Sequence, residues 1–129
     1  MNILIAEDDA VSRLFLQTLL ERMGHSVKAC EDGSDAWGAY KHGDYRIIIS
    51  DWIMPRMDGL DLCRAVRKLD RQPRCYFIVA TARSLDLDPR EALAAGANAC
   101  INKPIHRDDI EGRLKIAQKL NDPYSGESV

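Results

Sequence analysis

Five short apolar runs, four of them closed by a residue with chemistry of its own, constrain this chain more than anything else in its sequence. The runs are 3–6, 27–30, 47–50, 76–80 and 99–102. Glu7-Asp8-Asp9 follow the first, Asp51 the third, Thr81 the fourth and Lys103-Pro104 the fifth. Runs this short read as strands, and longer segments with helical periodicity separate them. Strands alternating with helices predict an α/β fold: a single five-stranded parallel sheet with helices on both faces. Uninterrupted runs such as Ile47-Ile48-Ile49 and Phe77-Ile78-Val79 belong in its middle, whereas the alternation of Val27-Lys28-Ala29 marks an edge.

The intervening segments carry helix signals. Val11, Leu14, Phe15, Thr18 and Leu19 recur at i, i+3, i+4, i+7 and i+8, the pattern of a core-facing stripe, and Gly24 ends that helix. Leu62, Ala65, Val66 and Leu69 repeat the pattern behind an Asp58 cap. Asp88, Pro89 and Glu91 mark another start: a cap, a proline at the first helical position and an acid in the first turn. A last helix is predicted over 107–120, with Ile110, Leu114 and Ala117 on one stripe and Ile116 and Leu120 on a neighbouring one. From 121 the chain turns polar and turn-rich. The division predicted is therefore a domain over 1–120 and a polar tail, or the start of a linker, over 121–129.

A length of 129 residues suits one domain. A net charge of -2 with both signs interspersed gives no electrostatic footprint for nucleic acid or an anionic membrane, so neither is expected as a direct partner. Cys30, Cys63, Cys75 and Cys100 lie far apart without a paired Cys-x-x-Cys, which reads as small buried hydrophobes rather than a zinc or disulfide framework. No leader and no 18-residue apolar stretch is visible, and the expected compartment is the cytoplasm.

In an open parallel sheet, ligands bind outside the carboxyl ends of the strands. Glu7, Asp8, Asp51, Thr81 and Lys103 should therefore converge on one edge. Crowded carboxylates repel one another and call for a cation. Oxygen ligands with room for water suit Mg²⁺. Lys103 adds a fixed positive charge and Thr81 a hydroxyl donor. A carboxylate so surrounded is equipped to attack phosphorus, with the cation and lysine offsetting charge on the transferring group.

The stretches around these residues are Ile3-Leu4-Ile5-Ala6-Glu7-Asp8-Asp9, Ile49-Ser50-Asp51-Trp52-Ile53-Met54-Pro55-Arg56-Met57-Asp58-Gly59, Val79-Ala80-Thr81-Ala82 and Asn102-Lys103-Pro104. Together they resemble the response-regulator receiver domains of two-component signalling, and the resemblance runs from residue 1 to about 120. It implies a flavodoxin-like sheet of strand order 2-1-3-4-5 and phosphorylation of Asp51 by a histidine kinase or a histidine phosphotransfer protein. It implies Mg²⁺, with Mn²⁺ as a substitute, on Asp8, Asp51 and the backbone carbonyl of Ile53, with Glu7 holding a metal-bound water. Thr81 and Lys103 would bind phosphate oxygens, small Ala82 would leave access to them, and Lys103-Pro104 would be a cis peptide. The resemblance makes the chain a phosphorylation-controlled switch rather than an enzyme, catalysing only its own phosphorylation and dephosphorylation. Its output would be an attached C-terminal domain or a second copy of the chain.

One position departs from the family pattern. Cys100 stands where an aromatic residue usually couples to the threonine, so the switch region (Thr81, Arg83, Cys100) would relay its signal through 83–89 instead. Two rival readings fare worse. A haloacid-dehalogenase-type phosphatase needs an acid two residues after its nucleophile, where this chain has Ile53. A flavin carrier needs a phosphate cradle after the first strand, where Glu7-Asp8-Asp9 would repel it.

Overall fold

The computed structural model describes residues 1–121, and the predicted polar tail, apart from Asn121, lies outside the described residues. Ten main elements alternate without exception. They are β1 (Asn2–Ala6), α1 (Ala10–Arg22), β2 (Ser26–Cys30), α2 (Gly33–His42), β3 (Ile47–Asp51), α3 (Gly59–Leu69), β4 (Tyr76–Ala82), α4 (Pro89–Ala94), β5 (Ala99–Lys103) and α5 (Arg107–Asn121). A short 3-10 turn, Arg83–Leu85, sits between β4 and α4. All strands pair in parallel, in the order β2-β1-β3-β4-β5, so β3 is central and alternating β2 is an edge.

Because strand side chains alternate faces, the sheet sorts its residues into two cores. Leu4, Ile48, Phe77 and Val79 pack with α2, α3 and α4. Ile3, Ile5, Ile47, Ile49 and Ile78 pack with α1 and α5. The caps predicted at Asp58 and Asp88 form, accepting from the Asp61 and Arg90 amides at 2.8 and 3.0 Å. Gly24 follows α1 at φ +93°, the left-handed conformation that stops helices.

Two features depart from expectation. First, α1 does not bury the stripe containing Val11, Leu14 and Phe15, which are 78, 64 and 58% exposed. It buries Leu16 and Leu20 instead. The segment Leu14-Phe15-Leu16 through Leu19-Leu20 carries two overlapping apolar stripes, and only the one turned toward Ile3 and Ile5 meets the sheet. Second, α2 carries no run of large aliphatic residues that would announce it. Its buried face is Gly33, Ala36 and Tyr40, and Asp32 starts it by accepting from the Asp35 amide at 2.8 Å.

At the amino ends of the strands, two arginines tie the loops together. Arg71 donates to the carbonyls of Tyr40, Lys41 and Gly43, where α2 ends. Arg67 donates to the carbonyls of Gly96 and Cys75 and to Asn98. On α5, Ile110, Leu114 and Ala117 are buried, while Ile116 and Leu120 are exposed. Among the described residues no helix is long and apolar enough to cross a membrane.

Candidate functional site

The strand register decides which side chains meet at the carboxyl edge. Glu7 and Asp8 follow β1, Asp51 ends β3, Thr81 lies one residue from the end of β4 and Lys103 ends β5. Asp51 sits opposite Ala80, and Ala82 opposite Lys103, so Lys103 stands two residues further along the carboxyl edge and its side chain reaches back to Asp51. One carboxylate oxygen each from Glu7, Asp8 and Asp51 lies within 4.8 Å of the others. The third acid of the first run does other work. Asp9 accepts from the Ser12 amide at 2.8 Å to cap α1, and that hydrogen bond holds its carboxyl below its ordinary pKa.

Burial makes the cluster electrostatically tense. Glu7 and Asp51 are 4 and 9% exposed. Lys103 Nζ donates to Glu7 Oε1 at 2.6 Å and contacts Asp51 Oδ1 directly. Burial, and then the neighbouring Glu7, push the Asp51 carboxyl up to about 8, against the opposing pull of Lys103. For Lys103, burial favours the neutral amine, but its hydrogen bonds to Asp51 and Glu7 outweigh burial and raise its pKa. Two polar atoms are buried with no hydrogen-bond partner among the described residues: Glu7 Oε2 and the Thr81 hydroxyl. Buried polar atoms are almost always paired, so both point to a ligand. The first wants a cation or a donor, and the second can donate to an oxyanion.

The backbone around the cluster is fixed by contacts that sequence reading did not pick out. Arg13 donates to the Glu7 carbonyl at 2.9 Å, and the Glu7 amide to Cys30 at 3.1 Å, which hold the acid pair in place. The Trp52 amide donates to Ala80 at 2.9 Å, and the Ser50 hydroxyl to the Asp51 carbonyl at 2.8 Å. Gly59 is required by closeness: a Cβ there would lie 2.1 Å from the Asp51 carbonyl oxygen. The only advance signal of these contacts is the Asp58-Gly59 pair that starts α3.

The remaining predicted residues are spread more widely. Ile53 exposes 54% of its surface, between buried Trp52 and Met54. The Lys103-Pro104 peptide is cis. Ala82 is half-buried at the end of β4, and Arg83 is exposed in the 3-10 turn beyond it. Cys100, opposite Val79, is half-buried against the α2–α4 core on the same sheet face as Thr81, but two residues below it. Beside the acid cluster, α1 and the segment after β5 enclose a groove of about 550 Å³, walled by Val11, Phe15, Leu16, Ile49 and Ile105 and floored near Asp51 and Lys103.

The arrangement can hold a hard cation on oxygen, present a carboxylate for attack on an electrophile, and receive the resulting negative charge on an ammonium and a hydroxyl. Comparison with known proteins gives the same picture. The profile of the family described as response regulator receiver domain matches residues 3–115. The chain is 32% identical to chemotaxis protein CheY1 of Helicobacter pylori over 124 residues, covering 95% of this chain and all of that one. It is 29% identical to the transcriptional regulatory protein AfsQ1 of Streptomyces coelicolor over 99% of its own length, but spans only 56% of that regulator. Among solved structures, it is similar to the receiver domain of the sensor histidine kinase PA1611 from Pseudomonas aeruginosa, which has a magnesium ion coordinated in its active-site cleft. The TM-score is 0.80 at 28% identity, covering 93% of this chain and 96% of that one.

Proposed function

The chain belongs to the response regulator receiver domain family, and we propose that Asp51 is the residue that accepts its phosphoryl group. Members are phosphoacceptor switches of two-component signalling rather than turnover enzymes. The observation that carries the assignment is the convergence on Asp51 of Glu7 and Asp8 from β1 and Lys103 from β5. Of the three clustered acids, only Asp51 stands at the end of the central strand, and Lys103 contacts both it and Glu7.

The residues present fit a magnesium ion: three clustered carboxylates, one with an unpartnered buried oxygen, and no soft ligand among them. Asp8, Asp51 and the Ile53 carbonyl would hold it, with Glu7 reaching it through water, and Mn²⁺ would substitute. When bound, the ion offsets charge on the oxygens of the transferring group. An Asp51 oxygen forms its bond to phosphorus as the donor's bond to phosphorus breaks. Lys103 follows the new phosphoryl oxygens, and the Thr81 hydroxyl, without a partner among the described residues, donates to one of them. The same residues serve both phosphorylation and hydrolysis of the product, so catalysis is confined to the chain's own modification. No acid stands where a phosphatase of the haloacid-dehalogenase type needs one, since that position is Ile53.

The phosphodonor is a histidine kinase or a histidine phosphotransfer protein, acting in the cytoplasm. Exposed Val11 and Phe15 flank the groove that leads to Asp51, an apolar surface on which such a donor can dock while excluding water. Output passes through 83–89 toward an attached C-terminal domain or a second copy of the chain. The domain acting as one unit over 1–120 is part of the same reading.

The test is incubation with phosphoramidate and Mg²⁺, read by intact-protein mass. One phosphoryl group should add, Asp51→Asn should abolish the addition, and EDTA should suppress it. Normal phosphorylation of Asp51→Asn would overturn the assignment.

A further inference from the structure

The β3–α3 loop, residues 52–58, contains an arginine that the chemistry above leaves without a role. Arg56 adopts φ +70°, a left-handed conformation that non-glycine residues rarely hold. Its side chain is 64% exposed, yet its guanidinium reaches a carboxylate that is 3% exposed: Asp32, in the β2–α2 loop. Arg56 Nε donates to Asp32 Oδ2 at 2.9 Å, and Nη2 contacts the same oxygen. The other oxygen, Oδ1, caps α2 through the Asp35 amide at 2.8 Å. The two loops also touch through their backbones, since a Cβ on Gly33 would lie 2.1 Å from the Met57 carbonyl oxygen. A buried carboxylate fully engaged by a cap and a guanidinium is a fixed anchor, unlike an exposed ion pair.

What the anchor holds matters. The loop's base is closed by the Gly59 amide on the Trp52 carbonyl at 2.8 Å, and Trp52 and Met54 are buried. Beyond Met54 the chain must turn through Pro55 and Arg56 to return to Gly59. Among the described residues, the Arg56–Asp32 pair is the side-chain tie across that turn. We propose that Arg56 and Asp32 form a positioning clamp that sets the β3–α3 loop, and with it the Ile53 carbonyl, for cation binding. The inference rests on the reading of Glu7, Asp8, Asp51 and Ile53 as the ion's ligands.

The clamp makes a prediction that simple charge effects contradict. Removing a positive charge near a cation site should strengthen cation binding by electrostatics, and removing a negative charge should weaken it. A clamp weakens binding either way. Two variants preserve the local backbone: Arg56→Asn, because Asn tolerates the left-handed conformation, and Asp32→Asn, because Asn still caps a helix. Mg²⁺ binding to the whole chain is measured by titration calorimetry, alongside hydrogen exchange over 52–58 and thermal midpoints. Loss of a supporting contact lowers metal affinity by about 10-fold or more when it touches a ligand directly. Here, one step further away, each variant should bind Mg²⁺ roughly 3- to 10-fold more weakly, with faster exchange in the loop. The double variant should be no weaker than either single one. Tighter binding by Arg56→Asn with weaker binding by Asp32→Asn would replace the clamp by electrostatics. Affinities within about 2-fold of the unaltered chain, with only the thermal midpoint lowered, would reduce the pair to a structural tie and overturn the inference. If the unaltered chain bound no Mg²⁺ while Asp51 still became phosphorylated, the ligand assignment itself would fall, and the clamp with it.

Discussion

Two neighbouring loops leave the carboxyl edge of the sheet and are built in opposite ways. The loop after β3 is closed at its base by Gly59, buries Trp52 and Met54 and is tied across its turn to Asp32. The loop after β4, residues 83–88, exposes Arg83, Ser84, Leu85 and Asp86 and is shaped by short-range bonds: the Asp86 amide to Arg83 at 3.1 Å and the Asp88 cap on α4. On the reading proposed above, the first carries the Ile53 carbonyl and follows directly on Asp51, the groups that would meet a cation and a phosphoryl group. The second carries nothing that reacts, and its Leu85 and Leu87, one exposed and one packed against the core, can exchange burial. On that reading the chemistry belongs to the tied loop, and movement is left to the loosely held one.

The largest effect expected from breaking this contrast is at Gly59. A methyl group there meets the Asp51 carbonyl, which is backbone and cannot swing aside. Gly59→Ala should destabilise the domain by roughly 2–4 kcal/mol in urea unfolding, whereas Leu85→Ser in the loose loop should stay within about 0.5 kcal/mol. Equal effects at the two sites would erase the distinction.

A second effect concerns the electrostatic cost of the rigid site. Burial and the neighbouring Glu7 raise the Asp51 carboxyl to about 8 in the folded chain, whereas an unfolded aspartate titrates near 4. Across that window the folded state binds more protons, so stability falls as pH rises, and the loss is complete above the folded pKa. In EDTA, Asp51→Asn should therefore melt progressively higher than the unaltered chain from about pH 4 to about pH 8, then keep a constant lead. A lead that shrinks with rising pH would contradict the burial argument.

The most local effect lies in the loose loop itself. With a beryllofluoride phosphate mimic and Mg²⁺, hydrogen-exchange protection should change mainly over 83–89 and little along β5. A silent 83–89 segment with changes centred on Cys100 would mean that the thiol does the relaying expected of a larger side chain.

The convergence of Glu7, Asp8, Asp51 and Lys103 was legible in the sequence because a parallel sheet sends every strand's carboxyl end to one edge. The strand order followed from the family resemblance and agrees with the pairing found. The face of α1 was not legible. Leu14-Phe15-Leu16 and Leu19-Leu20 offer two stripes of nearly equal hydrophobicity, and the choice between them is made by Ile3 and Ile5 across the sheet interface. Nor was α2, whose face of Gly33, Ala36 and Tyr40 is too small and mixed to produce a helical signal. The Arg56–Asp32 pair joins residues 24 apart, and no local pattern foretells which of 18 cationic residues meets which of 20 acidic ones.

At the opposite edge, Arg67 would give any motion of the loose loop a mechanical form. Arg67 grips the Gly96 carbonyl just past the end of α4, and Gly96 itself, at φ +110°, leaves no room for a side chain against that arginine. A rod fixed at one end and pushed at the other is a lever. With Gly96 as the fulcrum, a displacement delivered at Pro89 would emerge as a tilt of α4, largest at its first turn and vanishing at its last, so that a partner resting on α4 would meet an angle rather than a shift.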